Sequence, residues 1–292
     1  MIHSGHQGGA DGGRESVWQI RTEPTSFRRR GDQRRDRMMT TVPALKPTAT
    51  CGIAVMAKAS APGRTKTRLV PPLTFAEAAA LNTAFLQDIA DNIQLAECHA
   101  EIAAYVAFAP SGSEEFFRRI LPPPIGLIDA CQPSLGDCLL STIRQIFARG
   151  HASAVLLNGD SPTLPTGLLI EAASALAQPG ERAVLGPSSD GGYYLIGLKT
   201  VHRRLFEDIA WSTERVAAQT LERAREIGLD VHVLSAWYDV DDVEDLRRLS
   251  RDVAQLRPSG RELDPRAPHY PVATAGVLAN LREAVNAAAE NR

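Results

Sequence analysis

Five short stretches of the chain carry residues whose types and spacing suit a phosphorylated ligand. The first is Lys58 and the loop Ala61-Pro62-Gly63-Arg64-Thr65-Lys66-Thr67-Arg68. Backbone N–H groups in a tight loop, together with Lys and Arg heads, are what a diphosphate needs. The spacing matches neither G-x-x-x-x-G-K-[ST] nor G-x-G-x-x-G, and a solvated basic loop is the competing reading. The second stretch is Asn158-Gly159-Asp160-Ser161-Pro162. A carboxylate there, at the end of an apolar run, can face a cavity and ligate a hard cation, since Mg²⁺ favours one or two carboxylates plus phosphate oxygens. Asp160 can equally cap a turn or the next helix. The third is Gly186-Pro187-Ser188-Ser189-Asp190-Gly191-Gly192-Tyr193-Tyr194. Adjacent glycines let a ligand approach the backbone. Asp190 and the two tyrosines offer acceptors and a flat surface for a sugar or other polyol. A plain hairpin turn competes, because Asp-Gly is a common turn pair.

The last two stretches lie late in the chain. In Trp211-Ser212-Thr213, Trp211 would wall an acceptor, and Ser212 or Thr213 would cap a following helix. In Tyr238-Asp239-Val240-Asp241-Asp242, extended backbone puts Asp239 and Asp241 on one side, and either can be a second metal carboxylate. The alternative makes Asp241 or Asp242 the N-cap of the final helix of the domain.

The elements between these stretches must bring them together. CGIAVMAK, from Cys51, is an unbroken apolar run of the kind expected for a buried strand. Thr74 with Glu77 reads as a capping box, and Ala78, Leu81, Phe85, Ile89 and Ile93 at helical spacing predict a helix from about Phe75 to about Leu95. Further strands are read in EIAAYVAFAP, GLIDAC, HASAVLLNGD, on both sides of the Gly-rich stretch, and in DVHVLSAWYDV. Helices are read in SEEFFRRIL, from Ser134 to Arg149, from Pro165 or Thr166 through Ala177, over 215–227, and from Val243 to Leu256. Strands alternating with helices predict a three-layer α/β/α domain around a mainly parallel sheet. In such sheets ligands sit beyond the carboxyl ends of the strands, so the polar residues after each strand should meet on one rim.

Composition narrows the class of partner. Net charge is -2 and the pI is near 6.4, so no global basic field points to nucleic acid. No apolar run approaches the roughly 20 residues of a membrane span, and no signal-peptide core is seen. The four cysteines, Cys51, Cys98, Cys131 and Cys138, form no C-x-x-C pair and read as reduced, buried thiols of a cytoplasmic protein. Residues 1–48, rich in Gly, Arg and polar residues, read as a disordered leader with a basic arm from Phe27 to Arg37. Met38-Met39 is a candidate natural start. A transferase domain is expected over 49–256. A Pro-rich, charged linker and a terminal helix from Thr274 to Asn291 are expected over 257–292.

In order along the chain, K-A-S-A-P-G-R-T-K-T-R-L, N-G-D-S-P, G-P-S-S-D-G-G-Y-Y-L-I-G-L, W-S-T and D-V-D-D-V-E-D-L resemble the bacterial GT-A-like transferases described as radical-SAM-associated or arsenosugar-biosynthesis glycosyltransferases. The likeness covers about Cys51 to Leu249. It extends more thinly to 2-phospho-L-lactate guanylyltransferases and molybdenum-cofactor nucleotidyltransferases. It implies a nucleotide-diphospho-sugar transferase fold that uses Mg²⁺ or Mn²⁺. Lys58, Gly63, Arg64, Lys66 and Arg68 would then handle phosphates, and Asp160 would be the metal carboxylate. Gly159 and Ser161 flank it; Asp190, Gly191, Gly192, Tyr193, Trp211 and Ser212 would line the donor or acceptor site. Asp239 or Asp241 would match the late Asp of nucleotidyltransferases. The strand end carries G-D-S-P rather than D-x-D.

Three functions follow from these readings. The first is glycosyl transfer from a nucleotide sugar to a small acceptor, with Asp160 and Asp190 as the catalytic carboxylates. The second is nucleotidyl transfer from GTP or CTP to a phosphorylated small molecule. The third is a non-catalytic nucleotide-binding subunit. The base, sugar, acceptor, stereochemistry and oligomeric state are not encoded in any motif.

Overall fold

The computed structural model describes residues 48–257, 264 and 266–290. Residues 1–47 of the expected leader, including the basic arm and Met38-Met39, lie outside the described residues, as does most of the Pro-rich linker. Seven strands form one sheet: β1 (Thr48–Lys58), β2 (Ile102–Ala109), β3 (Gly126–Asp129), β4 (His151–Leu157), β5 (Arg182–Pro187), β6 (Tyr193–Leu198) and β7 (Asp230–Val233). Their order is β3-β2-β1-β4-β6-β5-β7. β1 pairs in parallel with β2 and β4, β2 with β3, and β5 with β7, while β6 runs antiparallel to both β4 and β5. The sheet is therefore mainly parallel, with one reversed strand supplied by the β5–β6 hairpin.

Alternation along β1 shows why helices cover both faces. Ile53 and Val55 point to one side, where they pack with Leu86, Ile89 and Ile93 of α1 (Phe75–Glu97) and Leu169 and Ala172 of α4 (Thr166–Ala177). Phe117 of α2 (Glu114–Ile120) joins this layer. Ala54 points to the other side, against Leu139, Leu140 and Ile143 of α3 (Leu135–Ala148) and Ala224 of α5 (Val216–Glu226). The Thr74 capping box forms as expected: Glu77 N donates to Thr74 Oγ1 at 3.2 Å and Thr74 N donates to Glu77 Oε2 at 2.7 Å. Ser134 caps α3 without a full box: its hydroxyl accepts from Asp137 N at 3.1 Å and donates to Asp137 Oδ2 at 2.6 Å.

A third apolar cluster closes the sheet end. Leu69, Leu81 and Phe85 meet Leu246 and Leu249 of α6 (Val243–Gln255) and Leu278 and Leu281 of α7 (Val272–Glu290). Asp88, buried on α1, accepts from Ala273 N and Thr274 N at 2.8 Å each, and so satisfies two amide groups at the start of α7. The expected terminal helix is thus anchored to the domain. No helix of the described residues is long and apolar enough to cross a membrane.

Four expectations need correction. The last strand ends at Val233 and does not run on to Val240. Beyond it, Tyr194 donates its hydroxyl to Ser235 O, and the chain rejoins the sheet only through a single bridge between Ser188 and Trp237. Neither Ser212 nor Thr213 caps α5. The N-cap is Arg215, Thr213 Oγ1 serves a local turn by accepting from Arg215 N, and Ser212 has φ +63°. Cys51 and Cys138 are buried, but Cys98 is exposed at the end of α1 and Cys131 is half-buried. Tyr194 is wholly buried in the core and offers no surface to a polyol.

Candidate functional site

The loop after β1 turns inward at Lys66. Its backbone lies in the left-handed region, with φ 50° and ψ 36°, which is uncommon without glycine. Arg64 N and Thr65 Oγ1 both donate to Ala61 O, at 3.0 and 3.3 Å, and fix the turn before it. The Lys66 side chain then passes Phe85, with the nitrogen 5.7 Å from the ring centroid, and is only 7% exposed. Its ammonium meets three oxygens: Val240 O at 2.6 Å, Asp160 Oδ1 at 2.6 Å and Asp241 Oδ1 at 3.3 Å. Arg68 reaches the other Asp241 oxygen at 3.5 Å. Burial works against the charged ammonium, but the carboxylates of Asp160 and Asp241 outweigh it and its pKa is raised.

Three distant parts of the chain therefore meet at one point. β4 delivers Asp160 through Asn158-Gly159, and Gly159 lies so close to β1 that an added Cβ would sit 3.1 Å from Met56 O. The late segment delivers Asp241 and is tied to the β4 loop by Val240 N donating to Asp160 O at 3.0 Å. Asp160 makes no capping bond to a helix; Asp242 is the residue that caps α6, accepting from Glu244 N and Asp245 N. Asp241 is left to face the site.

Two cavities flank this point and share Met56, Arg68, Leu135, Asn158, Asp160 and Asp241. One, of about 450 Å³, is walled by Lys58, Arg64, Thr65, Lys66, Thr67 and Arg68. The other, of about 530 Å³, is walled by Asp190, Gly192, Tyr193, Trp211, Ser212 and Asp239, along with Glu214. Asp239 is not among the oxygens that meet the Lys66 ammonium; it accepts from Ser188 Oγ at 2.8 Å. Burial pushes its carboxyl up to about 6, opposed by that hydrogen bond and reinforced by the charges of Asp190 and Asp241. Asp190 accepts from Gly192 N at 2.9 Å, so the hairpin-turn reading describes its backbone role, and it also lines the second cavity.

Three of the residues expected at the site stand back from both cavities. Gly63 has φ +74° and supplies the turn without lining either space. Ser161 is buried behind the carboxylate it follows, its hydroxyl without a partner among the described residues. Gly191, with φ +88°, is required because an added Cβ would lie 2.1 Å from Glu214 O; it docks the hairpin on the start of α5 through Ala217 N donating to Gly191 O at 3.0 Å. Asn158, at the head of the N-G-D-S-P stretch, lines both cavities, and Glu214 lines the second without a sequence signal of its own. Glu214 directly follows W-S-T and is placed by the hairpin that docks on its backbone.

Asp160 and Asp241 turn carboxylate oxygens toward one cation, which fits a hard divalent ion completed by phosphate oxygens. Among the described residues no group of three or more His, Cys, Asp or Glu side chains is arranged to hold a metal unaided.

Residues 92–213 match the family described as "Uncharacterized protein conserved in bacteria (DUF2064)". No curated protein matches the chain. Among solved structures, the chain is similar to a protein of Desulfovibrio desulfuricans G20 provisionally named a nucleotide-diphospho-sugar transferase. The two are 27% identical with a TM-score of 0.69, over 81% of this chain and 96% of that one. A cytidylyltransferase from Leptospira borgpetersenii is 12% identical, with a TM-score of 0.47 over 81% and 96% of the two chains. Glucosyl-3-phosphoglycerate synthase from Mycobacterium tuberculosis, in complex with Mn²⁺, UDP and phosphoglyceric acid, is 12% identical, with a TM-score of 0.41 over 70% and 76%. The last two are too distant to carry an argument. With its mostly parallel seven-stranded sheet between helical layers, the chain has the nucleotide-diphospho-sugar transferase, GT-A-like fold.

Proposed function

We propose that the chain transfers a glycosyl group from a nucleotide sugar to a small-molecule acceptor, in the cytoplasm, with a divalent cation held by Asp160 and Asp241. The observation that carries this reading is the placement of Lys66 between those two carboxylates, at the seam of a basic and an acidic cavity. Lys58, Arg64 and Arg68 would hold the diphosphate by charge-assisted hydrogen bonds, and Lys66 would swing from the carboxylates to a phosphate oxygen. A bound Mg²⁺ or Mn²⁺ would neutralise the leaving diphosphate and so lower the barrier to its departure. Asp190, on the opposite wall, would orient the acceptor or take its proton. The narrower likeness to radical-SAM-associated glycosyltransferases belongs to this reading and rests on the motifs alone.

One observation favours a second reading, nucleotidyl transfer. The late carboxylate Asp241 stands beside Asp160 in place of a D-x-D pair, as the resemblance to nucleotidyltransferases implies. Product analysis separates the two. The purified chain is incubated with panels of nucleotide sugars and nucleoside triphosphates, with Mg²⁺ or Mn²⁺. Release of a nucleoside diphosphate from a nucleotide sugar supports glycosyl transfer; pyrophosphate release from a triphosphate rejects it. Turnover of neither, with no shift in melting temperature, leaves only a non-catalytic role.

A further inference from the structure

The cavity beyond Asp160 and Asp241 carries the opposite charge to the phosphate-facing loop. Its lining includes the carboxylates of Asp160, Asp190, Glu214, Asp239 and Asp241. Lys66 and Arg68 pair with Asp160 and Asp241, while Asp190, Glu214 and Asp239 have no ion pair among the described residues and leave this wall acidic. Tyr193 and Trp211 supply aromatic walls. The Tyr193 hydroxyl, buried beside this space, has no hydrogen-bond partner among the described residues. The acidic wall is a built feature, since Gly191 seats the hairpin bearing Asp190 directly on the Glu214 backbone. A phosphorylated or carboxylated molecule entering here would meet like charge on several sides. Hydroxyl and ammonium groups would find acceptors there, and a sugar ring would find an aromatic face.

Resting on the transferase reading above, we propose that this cavity takes the acceptor, and that the acceptor is a hydroxyl-bearing small molecule of neutral or positive charge. In the transfer, the acceptor oxygen forms the new bond to the anomeric carbon. The bond from that carbon to the diphosphate oxygen breaks, and its electron pair stays with the diphosphate. The acceptor's proton passes to the Asp190 or Asp239 carboxylate and on to solvent. The same charge pattern disfavours the phosphorylated acceptor that nucleotidyl transfer calls for.

The test uses the full chain with Mg²⁺ and a nucleoside diphosphate that raises its melting temperature. Saturation-transfer NMR then compares glucose, glucosamine, glucose 6-phosphate and glucosamine 6-phosphate as probes. The expected result is binding of the unphosphorylated sugars at least tenfold tighter than their 6-phosphates, with Glu214→Gln, an exposed position, narrowing that gap at least twofold. Equal or tighter binding of the 6-phosphates overturns the proposal, as does the absence of saturation transfer to glucose and glucosamine. If no nucleoside diphosphate shifts the melting temperature, the transferase reading falls and takes this proposal with it. A shift accompanied by a reversed sugar preference removes this proposal only.

Discussion

The Lys66 ammonium lies 2.6 Å from the Asp160 carboxylate, inside the ring of oxygens where a divalent cation would sit. On the proposed reading, lysine and metal compete for one position. Binding a metal–diphosphate complex would exchange the ammonium for the ion and release Lys66 to the phosphate. Lys66→Met is therefore expected to have two opposite effects: tighter binding of Mn²⁺ alone, and nucleoside diphosphate affinity weakened about 30- to 150-fold, as for loss of a charge-assisted contact worth about 2–3 kcal/mol. Isothermal titration of each ligand separately checks both signs.

Asp160→Asn should abolish metal-dependent turnover while costing only about 1–2 kcal/mol of stability, because Asp241 and Val240 O still hold the buried ammonium. Denaturant melts alongside the product assay read the two effects. A large loss of stability with turnover retained would assign Asp160 a structural role.

Gly191→Ala is expected to destabilise the fold by about 2–4 kcal/mol, since the added carbon would meet the Glu214 backbone and the φ of +88° suits glycine alone. The damage should extend to the acidic cavity. Chemical denaturation gives the magnitude, and hydrogen exchange at Asp190–Tyr193 shows where it falls.

Asp88→Ala leaves two amide groups at the start of α7 without their buried acceptor, at a cost of about 2–4 kcal/mol. Faster hydrogen exchange in α7 than in the central strands would identify the lost anchor. Uniform acceleration would place the effect elsewhere.

Acid should weaken the fold through His269, whose pKa burial lowers to about 4. A depressed folded-state pKa means the unfolded chain binds the proton first, so stability present above the usual value of about 6.5 is lost as pH falls toward 4. Asp88, pushed up to about 6 mainly by burial, acts in the opposite sense between its usual value near 4 and 6. The clean readout is a difference: His269→Gln should be less acid-sensitive than the parent over that window, by about 1–2 kcal/mol.

Much of the fold was legible because local signals agreed with burial. The unbroken apolar run before Lys58 became β1, an interior strand flanked by β2 and β4, and the Thr74–Glu77 box marked the first turn of α1. The sheet-edge rule also placed Asp160 and Lys66 correctly on a common rim. What sequence spacing does not carry is contact between distant parts of the chain. The inward turn of Lys66 depends on a left-handed backbone that no glycine announces. Asp241 faces the site because Asp242 takes the capping role, a choice between adjacent identical residues that only the helix start decides. Tyr193 and Tyr194 are equally aromatic and both border the cavity, yet strand alternation leaves Tyr193 partly exposed and Tyr194 wholly buried.

The most direct measurement is Mn²⁺ binding followed by electron paramagnetic resonance, with a nucleoside diphosphate present. One Mn²⁺ site per parent chain is expected, lost in both Asp160→Asn and Asp241→Asn. Undiminished Mn²⁺ binding in both variants would contradict it.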